Sequence, residues 1–157
     1  MKIAIPFLQT LVAAIGLTVI GLCIFWLPAQ AALAGARFPE FAYLKLPVLL
    51  GLYATAVPFL LAIHRAIRLL GELRGGISFP AASAAILVFI RRCALIIAAL
   101  YIAGMAFLFT QSALHPGIVL AGLTIILLSL TVVTCAALLQ KLLERGSELQ
   151  RENELTI

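Results

Sequence analysis

The sequence predicts an all-α integral membrane protein, a four-transmembrane-helix bundle formed by a single membrane domain over residues 1–157. Its composition is 64% hydrophobic and 11% charged, whereas a soluble domain is about 45–50% apolar and about 25% charged. Aspartate is absent, and no charged residue falls within four long runs, at 3–36, 46–64, 75–90 and 93–140. These observations exclude both an ordinary soluble fold and intrinsic disorder.

The lengths of the uncharged runs predict where the chain crosses the membrane. A helix needs about 20 apolar residues to cross a hydrocarbon core about 30 Å thick. The first two runs each supply one span, predicted at 5–27 and 46–63. The run at 93–140 is more than twice as long as one crossing, and Pro116 and Gly117 near its middle favour a turn there. Spans three and four are therefore predicted at 93–112 and 118–139.

The run at 75–90 is too short and too poorly separated from span three to be a fifth span. It begins with Gly75 and Gly76, and Arg91 and Arg92 follow it directly, which leaves no room for a loop. We interpret it as an interfacial cytoplasmic helix segment that leads into span three, within a cytoplasmic loop at 65–92.

The distribution of basic residues predicts that both termini are cytoplasmic (N-in/C-in). Lys and Arg concentrate on the cytoplasmic side of membrane proteins. With four spans, one side holds nine of the eleven: Lys2, Arg65, Arg68, Arg74, Arg91, Arg92, Lys141, Arg145 and Arg151. This indicates a multi-pass protein of the bacterial inner (cytoplasmic) membrane, in contact with anionic headgroups. Direct nucleic acid binding is not predicted, because no soluble domain carries a basic face.

The first apolar stretch also has an alternative interpretation. Ala29-Gln30-Ala31 resembles a signal-peptide cleavage site, but the preceding apolar stretch at 3–27 exceeds the usual length of about 7–15 residues. An uncleaved first span is favoured.

The spans contain no chemistry typical of an enzyme. No ionisable group is expected at mid-membrane, and the three cysteines, Cys23, Cys93 and Cys135, form no Cys-x-x-Cys pair. We therefore predict no catalytic residue, no metal site and no cofactor. Hydroxyl side chains in the spans most often bond to carbonyls of their own helix, although a solute path past Thr55, Thr124 and Thr131 is the alternative.

Small residues and a proline predict details of helix packing. Pairs four residues apart allow helices to approach closely; they are Gly51 with Thr55, Ala99 with Ala103, and Gly117 with Ala121. Pro58 lies inside span two, where it removes a backbone donor, and it predicts a helix kink.

The cytoplasmic surface offers the candidate contact residues. Arg65, Arg68, Arg91 and Arg92 are candidates for contact with lipid headgroups or a partner. The short amphipathic tail at 140–157 carries leucines on one stripe and charges of alternating sign elsewhere. Gly146 is expected to weaken its helix, and Glu152, Asn153 and Glu154 near its end are further partner candidates, although a disordered end is the simpler expectation.

Short stretches throughout the chain resemble the YoaS-like family, a domain of unknown function in small bacterial four-span membrane proteins. The stretches are Cys23-Ile24-Phe25-Trp26-Leu27-Pro28, Pro47 with Gly51-Leu52-Tyr53 and Pro58-Phe59, Gly104-Met105-Ala106-Phe107, Pro116-Gly117, Leu139-Gln140-Lys141-Leu142-Leu143 and Glu152-Asn153-Glu154-Leu155-Thr156-Ile157. The resemblance supports the fold and topology and supplies no catalytic residues. Members are often encoded beside a small Cro/C1-type helix-turn-helix regulator, which implies a regulatory partner.

Two functions are carried forward from the sequence. The first is a regulatory or interaction protein that binds a cytoplasmic partner, such as a small helix-turn-helix regulator, through the middle loop and tail. The alternative is a small oligomeric transporter or exporter of an unknown solute. The predicted associations are accordingly the lipid bilayer, a cytoplasmic regulatory protein and a homo-oligomer.

Overall fold

The computed structural model describes residues 4–74 and 80–155, and within them all regular structure is helical. In chain order the elements are α1 (Ala4–Gly21), a π-helical segment (Leu22–Trp26), α2 (Leu27–Arg37), a 3₁₀ helix (Pro39–Leu44), α3 (Lys45–Arg74), α4 (Pro80–Thr110) and α5 (Pro116–Leu155).

Four helical stretches are long and apolar enough to cross a membrane, which confirms the predicted all-α fold with four candidate spans. They cover Ile5–Arg37, Pro39–Glu72, Ala82–Thr110 and Pro116–Leu149. Each is longer than the predicted crossing that it overlaps, because the helices continue past the apolar core. Span three, predicted to end at residue 112, ends at Thr110, where the turn before α5 begins. α5 has 40 residues and is therefore about 60 Å long, roughly twice the thickness of the core.

The segment predicted to lead into span three does so without a break. Residues 80–90 form the first third of α4, which continues through Arg91 and Arg92 to Thr110. The predicted restart at Ser78 and the glycine pair at Gly75 and Gly76 lie outside the described residues. α3 and α4 are each about 45 Å long, so both extend beyond the core at the end that carries the arginines.

The turn before α5 lies close to its predicted position. α4 ends at Thr110, and Pro116 is the first residue of α5. Proline is well tolerated at this position, because the N–H of the first helical residue has no partner within the helix. The Gly117 N–H donates to His115 Nδ1 at 3.1 Å and so caps the new helix. Ser112, inside the turn, has a positive φ of 54°.

The helices pack in the order α1, α3, α4, α5. α1 lies against α3, α3 against α4, and α4 against α5, and among the described residues no comparable contact joins α1 to α5. The most buried side chains belong mainly to α4 and are small or aliphatic: Ser83, Ile86, Leu87, Cys93, Ala94 and Ala98. The bundle is therefore open on the side between its first and last helices.

The close helix contacts involve other glycines than those predicted. Gly51, Ala99, Ala103 and Ala121 are exposed, so the predicted small-residue pairs do not mark the tight crossings. α1 instead approaches α3 at Gly16, where an added Cβ would lie 2.9 Å from Ile63 Cγ2. α4 and α5 approach at Gly122, where an added Cβ would clash with Met105. Spacing within one helix does not reveal which face meets a neighbour.

Pro58 lies within the continuous helix α3 and is buried. The kink expected there stays a prediction.

Candidate functional site

An apolar lateral groove runs along the open side of the bundle. α1 and α2 form one wall and α5 the other, and residues of α3 and α4 complete the lining. Its volume is about 1490 Å³. The α3 lining runs from Lys45 to Ala66, about 32 Å at 1.5 Å per residue, so the groove extends over the whole thickness of the hydrocarbon core.

The two ends of the lateral groove differ in polarity. Lys45 and His115 line the end at which α3 and α5 begin, whereas Ile63, Ala66 and Ile90 line the opposite end. The Lys45 stem crosses α2 at Gly35, since a Cβ added to Gly35 would lie 3.9 Å from Lys45 Cδ. Among the described residues Lys45 has no carboxylate partner in ion-pair range.

The π-helical segment shapes one wall of the lateral groove. The Leu27 N–H bonds to Leu22 O, five residues back, so the Cys23 carbonyl would need residue 28 as its donor. Residue 28 is proline, which has no N–H. The Tyr53 hydroxyl on α3 donates to Cys23 O at 2.9 Å and satisfies that carbonyl. This bond fixes a groove wall, because Leu22, Cys23, Trp26 and Leu27 all line the cavity.

A small polar group lies half-way along the lateral groove. The Tyr101 hydroxyl of α4 lies beside the Thr55 side chain of α3, and both residues line the cavity. Thr55 Oγ1 in turn donates to Leu52 O at 2.8 Å. Thr55 follows Lys45 by ten residues, or about 15 Å, which is half the thickness of the core.

Most hydroxyls of the spans bond to their own helices, as predicted. Donors to carbonyls three or four residues earlier, at 2.7–2.9 Å, are Thr18, Thr55, Thr110, Thr124, Thr131 and Thr134. Thr124 and Thr131 are exposed and do not line the lateral groove, whereas Thr55 does. The structure therefore does not bring together the three threonines of the predicted solute path.

The cysteines are free and have different surroundings. Cys93 is buried, Cys135 is exposed, and Cys23 is half-buried beside the lateral groove. Among the described residues no group of three His, Cys, Asp or Glu side chains is placed to hold a metal ion.

The four candidate arginines have separate roles in the structure. The Arg65 guanidinium lies over the Phe89 ring, 5.0 Å from its centroid, and so joins α3 to α4 through a cation–π contact. Arg68 Nε lies 3.4 Å from Glu72 Oε1 as an i,i+4 pair on one helix. Arg91 and Arg92 are exposed. The arginines therefore do not form one site: two have partners on the protein and two face outward.

The predicted amphipathic tail continues α5 as a helix. Gly146 does not interrupt it, and α5 continues through this position to Leu155. Leu143 and Ser147 are half-buried on the α4 side, whereas Leu142 is 64% and Leu149 67% exposed. Glu152 is exposed, and the side chains of Asn153 and Glu154 lie outside the described part of the chain.

Sequence reasoning missed the lateral groove and its polar residues. Lys45, Tyr53 and Tyr101 have no distinctive spacing, and most of the lining is apolar like the rest of the spans. Pro28 was the signal from which a bond such as that of Tyr53 could have been expected. A proline deep in a long apolar helix leaves an earlier carbonyl without a backbone donor, so a side chain must supply one.

The chain is similar to known proteins over most of its length. Residues 29–157 match the family described as Protein of unknown function (DUF2975). The uncharacterized membrane protein YoaS of Bacillus subtilis (strain 168) is 37% identical over 153 residues, which cover 96% of each chain. The chain belongs to the DUF2975 family. No solved structure matches it. The match to YoaS, which is described as a membrane protein, confirms the predicted resemblance, and neither match assigns an activity.

Proposed function

We propose that the protein is a membrane-anchored interaction protein that holds a soluble cytoplasmic partner on the end of α5. The observation that carries this proposal is the exposure of Leu142 and Leu149 on a helix that continues past the membrane core. Leu149 follows the predicted end of span four by ten residues, or about 15 Å. At that distance the hydrocarbon core no longer covers it.

The exposed leucines beyond the predicted span, Leu142 and Leu149, form one stripe, which we name the α5 stripe. Their interval of seven residues places them on one face of the helix. The opposite side, with Leu143 and Ser147, faces the start of α4, where Ser83 and Leu87 are buried. Packing against α4 therefore fixes the orientation of the helix and leaves the α5 stripe uncovered.

The charges around the α5 stripe favour a protein partner over an anionic membrane surface. Between residues 140 and 152 three basic side chains, Lys141, Arg145 and Arg151, balance three acidic ones, Glu144, Glu148 and Glu152. Surface helices that bind lipid are typically rich in Lys and Arg on their polar face. A partner helix or groove with an apolar centre and a mixed-charge rim matches the stripe. The partner proposed for it is the small helix-turn-helix regulator that the family resemblance implies.

Transport of a hydrophilic solute is the weaker function for this geometry. The lateral groove is mainly apolar and open toward the side of the bundle, and Thr124 and Thr131 do not line it.

The test is site-specific photocrosslinking in cells, followed by measurement of the binding affinity of the purified partner. A photoreactive residue at Leu149 is expected to give one defined adduct with a soluble protein, whereas the same residue at Leu127, exposed on the same helix within the span, gives none. The captured protein is then purified and titrated onto the full-length membrane protein.

The paired substitution Leu142→Ala with Leu149→Ala is expected to weaken that binding about 30-fold, at about 1 kcal/mol for each truncated contact. The matched control, Leu120→Ala with Leu127→Ala, makes the same change on exposed positions of the span. Equal affinities for the two double variants, or adducts at Leu149 with lipid alone, would overturn the proposal.

A further inference from the structure

The lateral groove is long, mainly apolar and open toward the side of the bundle. Its lining on α3 extends about 32 Å, so it covers the thickness of the hydrocarbon core. In a bilayer, acyl chains surround the open side. The position and polarity of the groove therefore favour acyl chains as its occupant.

The polar end of the lateral groove adds a charge to this shape. The Lys45 ammonium stands at that end without a carboxylate partner among the described residues, and its stem is held against α2 at Gly35. His115 lines the same end, and because its Nδ1 accepts the Gly117 N–H, its Nε2 remains available as a donor. An ammonium and a ring N–H are donors suited to a phosphate group.

The depth of the lateral groove separates it into two halves. Thr55 and Tyr101 lie about 15 Å from Lys45, at the depth where the chains of one membrane leaflet end. Between Lys45 and Thr55 the lining is mainly apolar, with Val48, Leu49 and Leu52 on α3 and Ala31 and Ala34 on α2, and Gln30 adds one amide. This outer half, from Lys45 to Thr55, has the length of one lipid and a cationic end.

We propose that the outer half of the groove binds one anionic phospholipid, with its phosphate at Lys45 and its acyl chains along α3. Apolar shape alone gives no preference among lipids, because a lipid chain is as apolar as the leucines it contacts. The selectivity comes from the headgroup end. This binding site is separate from the α5 stripe, which lies near the other end of the bundle.

The headgroup is tested by native mass spectrometry of the full-length protein in detergent, titrated with phosphatidylglycerol or phosphatidylcholine. We expect one tightly held phosphatidylglycerol and weaker phosphatidylcholine binding. Lys45→Gln is expected to lower phosphatidylglycerol affinity about fivefold, the effect of one basic residue at an anionic surface, and to leave phosphatidylcholine unchanged. Arg37→Gln is the matched control, because Arg37 is exposed near the same end and does not line the groove.

The position of the acyl chains is tested by filling the groove. Ala34 is exposed and lines the groove, whereas Ala36, two residues later, is exposed and does not. Ala34→Phe is expected to lower the occupancy of both lipids, and Ala36→Phe to leave both unchanged.

Three results would overturn the proposal. Equal losses of phosphatidylglycerol affinity in Lys45→Gln and Arg37→Gln would show that the lipid is attracted by overall charge and not by a site. Unchanged lipid occupancy in Ala34→Phe would place the lipid elsewhere on the protein. A lipid-free dimer that Ala34→Phe weakens and Ala36→Phe does not would assign the groove to a second copy of the chain.

Discussion

The Tyr53 hydroxyl donates a 2.9 Å hydrogen bond to the carbonyl oxygen of Cys23, thirty residues earlier in the chain. That carbonyl lies in the π-helical segment, and its backbone donor is missing because residue 28 is proline. In a membrane an unsatisfied backbone carbonyl is costly, because no water is present to bond to it. Tyr53 therefore makes Pro28 tolerable in the first span and also fixes α1 against α3.

Tyr53→Phe is expected to lower the free energy of unfolding by about 1–3 kcal/mol, because it leaves a carbonyl unsatisfied in an apolar environment. The measurement is reversible unfolding in mixed micelles. Tyr43→Phe is the control, since the exposed Tyr43 hydroxyl donates to Gln111 Oε1 at 2.9 Å, a bond that water can replace. Equal effects of the two substitutions would contradict the role assigned to Tyr53.

Gly16→Ala is expected to destabilise the bundle by about 1–3 kcal/mol through overpacking. The added methyl would lie 2.9 Å from Ile63 Cγ2, so α1 and α3 would have to separate. The same micelle unfolding measures it. Gly51→Ala serves as the comparison, because nothing lies within 4 Å of a Cβ at that exposed position. Addition of Ile63→Ala is expected to recover part of the loss, and a double variant no better than additive would argue against the contact.

Ser112→Gly is expected to stabilise the protein by about 1 kcal/mol, because Ser112 has φ of 54°, where residues with a Cβ are strained. Ser147→Gly makes the same chemical change inside α5 and is expected to destabilise by about 0.5–1 kcal/mol, as glycine does in a helix. Thermal unfolding in detergent gives both values. Changes of the same sign would contradict the assigned backbone conformation of the turn.

Patterns along the chain predicted those parts of the fold that depend on transfer into the membrane. The charge-free runs gave the number of spans, and Pro116 with Gly117 placed the last turn, because hydrophobic length and helix breaking are local properties. The bonding of threonine hydroxyls to their own helices was also predictable, because it is local: Thr124 and Thr131 donate to carbonyls four residues earlier. Family membership could also be recognised from short stretches such as Leu139-Gln140-Lys141-Leu142-Leu143.

The faces of the helices could not be predicted in this way. Gly51 and Gly16 have similar apolar neighbours in sequence, yet Gly51 is exposed and Gly16 is buried at a close contact of α1 with α3. Hydrophobicity does not separate them, because a lipid-facing surface and a helix-facing surface are equally apolar. The α5 stripe was predictable only beyond the membrane, where charged residues again distinguish the two sides of the helix.

The sequence by itself therefore determined the membrane location, the four helices and the helical tail with its exposed leucines. Tertiary structure alone decided that the helices pack in an open row, that Tyr53 satisfies Cys23, and that Lys45 stands at the polar end of a groove. The physical reason is that insertion depends on the composition of each segment taken alone. Packing depends on the shapes and unsatisfied polar groups that distant segments present to one another.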